Sequence, residues 1–235
     1  MKKLLKILLK SILAFVAVLL LAFVVLKIIY SDDIPKGTTG EKADVLANKM
    51  LDALNYDRFK DAQALHWTFR DKNTYKWDLQ KNTVEVFWND YHVTYHTKNK
   101  SKSKAYLNKT LLEGEAREKA LSYAIKNFNN DSFWVVAPFK VFDSGTNRSI
   151  VEEDGKQKLL VQYTSGGTTP NDAYLWELDD EYIPVAFKMW VSILPFDGIE
   201  ALWSDWETTS GGFLISKRKT MFWLDIPVTN LKVIP

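Results

Sequence analysis

The stretch Leu65–His96, LHWTFRDKNTYKWDLQKNTVEVFWNDYHVTYH, decides the reading of the fold. Leu65, Trp67 and Phe69 alternate with His66, Thr68 and Arg70. Tyr75, Trp77 and Leu79 alternate with Lys76 and Asp78, Val84 and Val86 flank Glu85, and Tyr91, Val93 and Tyr95 alternate with His92, Thr94 and His96. Asp71-Lys72-Asn73, Lys81-Asn82 and Asn89-Asp90 supply turn residues between the runs. A period of two with turns between the runs predicts an antiparallel meander with one apolar face.

Downstream, a polar stretch (Lys98 to Lys104) leads to a helix over Glu115–Asn127, with Leu121, Ala124, Ile125 and Phe128 on one side. From Ser132 onward strands are expected to resume. The clearest are Leu159-Val161-Tyr163, Tyr174-Trp176-Leu178, Val185-Phe187-Met189-Val191, Ile199-Ala201-Trp203, Phe213-Ile215 and Val228 to Ile234. Expected turns include Glu153-Asp154-Gly155, Ser165-Gly166-Gly167, Asp179-Asp180-Glu181 and Ser210-Gly211-Gly212. Upstream, Leu46, Ala47, Met50, Leu51 and Leu54 form the stripe of a helix over Glu41–Tyr56, and Thr38-x-x-Glu41 has the spacing of a capping box. About ten strands and two helices make one α+β domain over residues 41–235, joined to what precedes it by a polar linker over residues 31–40.

Residues 1–30 read differently. Ser11 to Leu26 is apolar apart from Ser11, and a helix from Ile7 to Tyr30 is roughly 36 Å long, enough for a hydrocarbon core of about 30 Å. The bulky exit Lys27-Ile28-Ile29-Tyr30 does not suit signal cleavage, so the expectation is an uncleaved signal-anchor. Four lysines precede the apolar run and Asp32 and Asp33 follow it, which places the N-terminus in the cytoplasm and the domain in the periplasm, with a single pass through the cytoplasmic membrane. Those thirty residues hold five lysines and no acid, whereas the whole chain is +2, so the remainder is mildly acidic and lacks a nucleic-acid footprint.

Chemistry-bearing motifs are sparse. With no cysteine, thiolate metal sites, disulfides and cysteine nucleophiles are excluded. On a strand His92 and His96 share a face but lie roughly 13 Å apart, too far to share a metal. The acids Glu152-Glu153-Asp154 and Asp179-Asp180-Glu181 fall at turns, as does Asp143, while Asp205 and Glu207 on one strand leave a glycosidase-like pair open. No nucleotide-binding loop, nucleophile elbow or zinc-protease motif occurs, and no cofactor is implied.

Aromatic content is the informative feature: nine Trp, ten Tyr and thirteen Phe, many on alternating strand positions. They suit a plain core, a cavity for an apolar ligand, or a surface that stacks on sugars. The order of a short amphipathic helix, a meander, an inserted helix and a second run of strands resembles the periplasmic lipoprotein-carrier fold, an unclosed antiparallel barrel around helices. Asn130-Asp131-Ser132-Phe133-Trp134 through Pro138-Phe139-Lys140 and Asp143-Ser144-Gly145 is similar to an uncharacterised family of bacteroidete envelope proteins. So is Pro170-Asn171-Asp172-Ala173-Tyr174-Leu175-Trp176 through Met189-Trp190-Val191 and Leu194-Pro195. The carrier resemblance implies a curved half-barrel with packed helices and an apolar cavity, while the uncharacterised family lends no activity. The expected role is non-catalytic binding of a membrane lipid, acyl chain or lipoprotein, with Leu65, Trp67, Phe69, Tyr75, Trp77, Trp176, Phe187, Met189 and Trp203 on the concave face. The alternatives are a hydrolase of envelope glycans or lipids, or a structural partner of other envelope proteins.

Overall fold

A computed structural model describes residues 2–165 and 171–235; the rest of the expected Ser165-Gly166-Gly167 turn, and Pro170 of the second quoted stretch, lie outside them. Alternation in the sequence becomes strand where one face can leave water. In chain order the elements are α1 (Lys2–Tyr30), β1 (Thr38–Thr39), α2 (Glu41–Ala53), α3 (Tyr56–Asp61), β2 (Ala64–Phe69), β3 (Asn73–Asp78), β4 (Thr83–Trp88), β5 (Tyr91–His96), β6 (Lys104–Leu107), β7 (Thr110–Leu111) and α4 (Gly114–Val136). Then follow β8 (Thr146–Glu153), β9 (Lys156–Tyr163), β10 (Ala173–Leu178), β11 (Pro184–Trp190), β12 (Ile199–Thr208), β13 (Leu214–Met221), β14 (Leu224–Asp225) and β15 (Val228–Ile234).

All pairings are antiparallel. One sheet has the order β1-β8-β9-β10-β11-β12-β13-β14 and the other β15-β2-β3-β4-β5-β6-β7. The chain passes between them after β1, after β7 and, for the last time, between β14 and β15. There Ile226 N–H donates to Lys219 O (2.7 Å) and Arg70 N–H donates to Pro227 O (2.9 Å), so the two sheets abut as one open, curved wall. Inside it, one hydrophobic cluster joins Leu46 and Met50 of α2, Leu121 and Phe128 of α4, Trp67 and Tyr75 of the second sheet, and Trp176 and Trp203 of the first. The period of two holds in β2: Leu65, Trp67 and Phe69 are buried while His66 and Thr68 are half-buried. The architecture is therefore α+β, open antiparallel sheets around helices.

Three local expectations are corrected. Thr38 does not cap α2: it is held in the ladder opposite Ile150, and Gly40 (φ 126°) takes the cap position with no side-chain bond. The helix expected to reach Tyr56 stops at Ala53, because Asn55 adopts a left-handed conformation (φ 56°) that restarts the chain as α3. The helix expected to end at Asn127 continues to Val136, and Ser132 begins no strand. Phe128, Ser132, Val135 and Val136 prolong its buried stripe, and the buried Asp131 carboxylate fastens it. Tyr75 Oη and Asn73 Nδ2 donate to Asp131 Oδ2 (2.5 and 3.1 Å), and Asn130 Nδ2 donates to Oδ1 (2.9 Å).

Residues 31–37 form a strap. At one end Trp190 Nε1 donates to Asp32 O (2.7 Å) on β11, and at the other Gly37 packs on Ser149 of β8. In the sheet order these strands are separated by β9 and β10, so the strap crosses the outer face where Val151, Leu160, Ala173, Leu175 and Trp190 form a second buried cluster.

Candidate functional site

α4 touches both sheets with different side chains. Phe128 meets Trp77 edge-on (5.2 Å between centroids), whereas Phe133 meets Tyr174 (4.5 Å) and Trp134 meets Phe187 (5.7 Å). One helix cannot fill the whole concavity of two sheets. A cavity of about 600 Å³ remains around its C-terminal half, within the range of small-molecule sites. Its apolar wall includes Trp77, Tyr95, Phe128, Phe133, Trp134, Tyr174, Phe187, Met189, Val191, Leu194 and Met221. The exposed Arg70, Lys126, Asn130, Asp143, Ser144 and Ile193 also line it, so it reaches the surface.

Much of the first-sheet lining comes from one end of that sheet. Tyr163 closes β9, Tyr174 lies near the start of β10, Met189 near the end of β11, Met221 ends β13, and Val191, Ile193 and Leu194 belong to the segment joining β11 to β12. That segment also meets α1: Phe196 lies 6.1 Å from Phe23 between ring centroids, and Lys27 Nζ lies 4.0 Å from Asp197. Ser31 Oγ accepts from Asp197 N–H (3.1 Å), and Asp32 N–H donates to Asp197 O (3.1 Å). The lining loop therefore abuts the last two turns of the apolar helix. α1 is long and apolar enough over Lys6–Tyr30 to cross a membrane, and it is exposed on the domain rather than buried in its core.

The electrostatics of the wall favour neutrality. Burial, with Asp143 and Asp172 nearby, pushes the Tyr163 phenol well above its ordinary value, and burial with Asp172 does the same to Tyr174, so both stay protonated. Tyr174 Oη lies 3.4 Å from Asp172 Oδ2, and Lys140 pairs with Asp143 at the rim. Burial likewise raises the Tyr95 phenol.

Of the nine residues expected on the concave face, Trp77, Phe187 and Met189 line the cavity. Leu65, Trp67, Phe69, Tyr75, Trp176 and Trp203 are 0–3% exposed and pack into the surrounding core, as in the stacked pair Trp67–Tyr75 (4.8 Å) and the edge-on pair Trp176–Trp203 (5.4 Å). Phe133, Trp134, Tyr163 and Tyr174 were not named as cavity residues by sequence reasoning; Phe133 and Trp134 fall between the stripe positions Phe128, Ser132, Val135 and Val136 of α4 and are half-buried, so helical periodicity gave no signal for them. Asp205 and Glu207 do not converge on the cavity. Asp205 sits at a break in the β12–β13 register with φ 52°, and Glu207 pairs with Lys217 (2.6 Å). Among the described residues no three His, Asp or Glu side chains are grouped to hold a metal ion.

One buried titratable group stands apart. Lys219 on β13 is fully buried, donates from Nζ to Ser216 O, and lies 5.1 Å from the centre of the Trp203 ring. Desolvation pulls its pKa from 10.5 down to about 7.

No protein-family model matches the chain, and no curated protein sequence does. Among solved structures the chain is similar to a DUF1329 family protein from Desulfovibrio piger, with a TM-score of 0.41 and 8% identity over 82% of this chain and 93% of that one.

Proposed function

We propose that this chain is a membrane-anchored envelope protein that binds the acyl chain of a lipid or lipoprotein, without catalysing its turnover, on the periplasmic side of the cytoplasmic membrane. The observation that carries the reading is the aromatic and aliphatic cavity of about 600 Å³ whose lining loop abuts the apolar helix α1. An open curved wall around helices is also what the carrier resemblance implies. Each buried methylene contributes about 0.8 kcal/mol, so a chain of roughly ten carbons supplies about 8 kcal/mol before ordering costs. A ligand of that kind would enter from the bilayer side, past Ile193 and Leu194, with the rim's Arg70 and Lys126 left for a polar headgroup.

The test is uptake of a fluorescent fatty acid by the full-length chain in detergent. Trp77→Glu and Leu194→Glu each place a charge on the wall at a half-buried position. Both should fold, as judged by near-UV circular dichroism, and both should lose uptake. Wild-type chain that takes up no probe refutes the reading.

A further inference from the structure

The β13–β14 hairpin turns in two residues, Phe222 and Trp223, between the paired Met221 and Leu224. Phe222 has φ 56°. A positive φ at the first turn position is what such hairpins normally give to glycine, and a bulky side chain there is strained. Packing within the domain does not repay the strain: Phe222 is 60% exposed, Trp223 84% and Leu224 56%. All nine tryptophans lie among the described residues, and Trp223 alone is exposed. The two tip rings contact each other at 5.9 Å.

The position of this tip gives it a use. Ala201 faces Met221, so the turn extends past β13 toward Ile199 and Gly198 at the start of β12. It therefore lies at the same end of the sheet as the loop that meets Phe23, Lys27 and Asp32. The tip and the exit of α1 share one end of the sheet. A tryptophan and a phenylalanine presented together at the end of the sheet from which an apolar helix emerges have the chemistry of the membrane interface, where the indole N–H stays wet and the rings leave water.

We infer that Phe222, Trp223 and Leu224 form a second membrane contact, seated in the interfacial layer of the leaflet from which α1 emerges. The occupant of this patch is the lipid bilayer itself. Two fixed points, α1 and the tip, then hold the domain so that the cavity end bounded by Leu194 and Met221 faces lipid. The inference rests on the reading of α1 as a membrane span.

The test uses the full-length chain in vesicles of phosphatidylethanolamine and phosphatidylglycerol carrying acyl chains brominated near the headgroup. Residues 1–30 contain no tryptophan, so indole emission reports the domain alone. The emission of wild type minus that of Trp223→Phe isolates Trp223 from any cavity tryptophan. The expected result is that brominated lipid removes most of this difference emission. Difference emission that is unquenched and red-shifted, as for an indole in water, overturns the membrane contact while a carbonate-resistant chain leaves the span intact. Chain washed off by carbonate overturns the span and this inference together.

Discussion

Replacing Lys219 by Met should stabilise the domain, and the magnitude follows from the structure. The ammonium is fully buried, no carboxylate among the described residues pairs with it, and Ser216 O is its hydrogen-bond acceptor. Its pKa falls from 10.5 to about 7 through desolvation, which at 1.36 kcal/mol per unit corresponds to a cost of roughly 5 kcal/mol. Met is one heavy atom shorter but keeps an unbranched apolar stem, and it forfeits the hydrogen bond, worth about 2 kcal/mol for a charged donor, so the net gain is about 3 kcal/mol at pH 6. The sign with pH is fixed. Below pH 7 both folded and unfolded chains carry the proton and the full cost is present. Between pH 7 and 10.5 the unfolded chain holds a proton that the folded chain has lost, so wild-type stability rises with pH. Lys219→Met should lack that rise, and the gap between the two proteins should close toward pH 10. Urea denaturation of the full-length chain in mild detergent at pH 6, 7, 8 and 9 measures both quantities. A variant less stable than wild type at pH 6, or one with the same slope above pH 7, refutes the reasoning.

Asp131→Ala should cost about 2–5 kcal/mol in the same assay, because it strands the buried Tyr75 hydroxyl and the Asn73 amide together; Asp131→Asn, which keeps one acceptor oxygen, should cost less. Gly198→Ala should destabilise by about 1 kcal/mol or more. Its φ of 76° disfavours a side chain, and the new Cβ would meet the Asp32 Cβ at 2.8 Å. Amide exchange at Asp32 should quicken in that variant as the strap loosens, whereas exchange in β3 should not change.

The sequence was most legible where a single face of a strand leaves water. In β2 to β5 the alternation of Leu65, Trp67, Phe69, Tyr75, Val84, Val86 and Val93 against polar neighbours marks strands, turns and inner face together. Strand β6, KAYL between lysine-rich segments, is too short and too polar on its flanks to show a period, and β8 carries polar TNRS before its apolar residues. Phe133-Trp134-Val135-Val136 has the composition of a strand, yet tertiary packing and the Asp131 network make it the last turn of α4. Alternation identifies which side chains point inward but not whether the interior is filled. That depends on where α4 lies, which is why Trp77, Phe187 and Met189 reach the cavity while Trp67, Trp176 and Trp203 are packed away from it.

Native mass spectrometry of the full-length chain extracted in mild detergent tests the central claim most directly. The account predicts a population heavier than the bare polypeptide by the mass of one phospholipid, fatty acid or acylated peptide, and loss of that population in Trp77→Glu and Leu194→Glu. A wild-type spectrum showing the bare polypeptide alone, from protein that also takes up no fluorescent fatty acid, would contradict it.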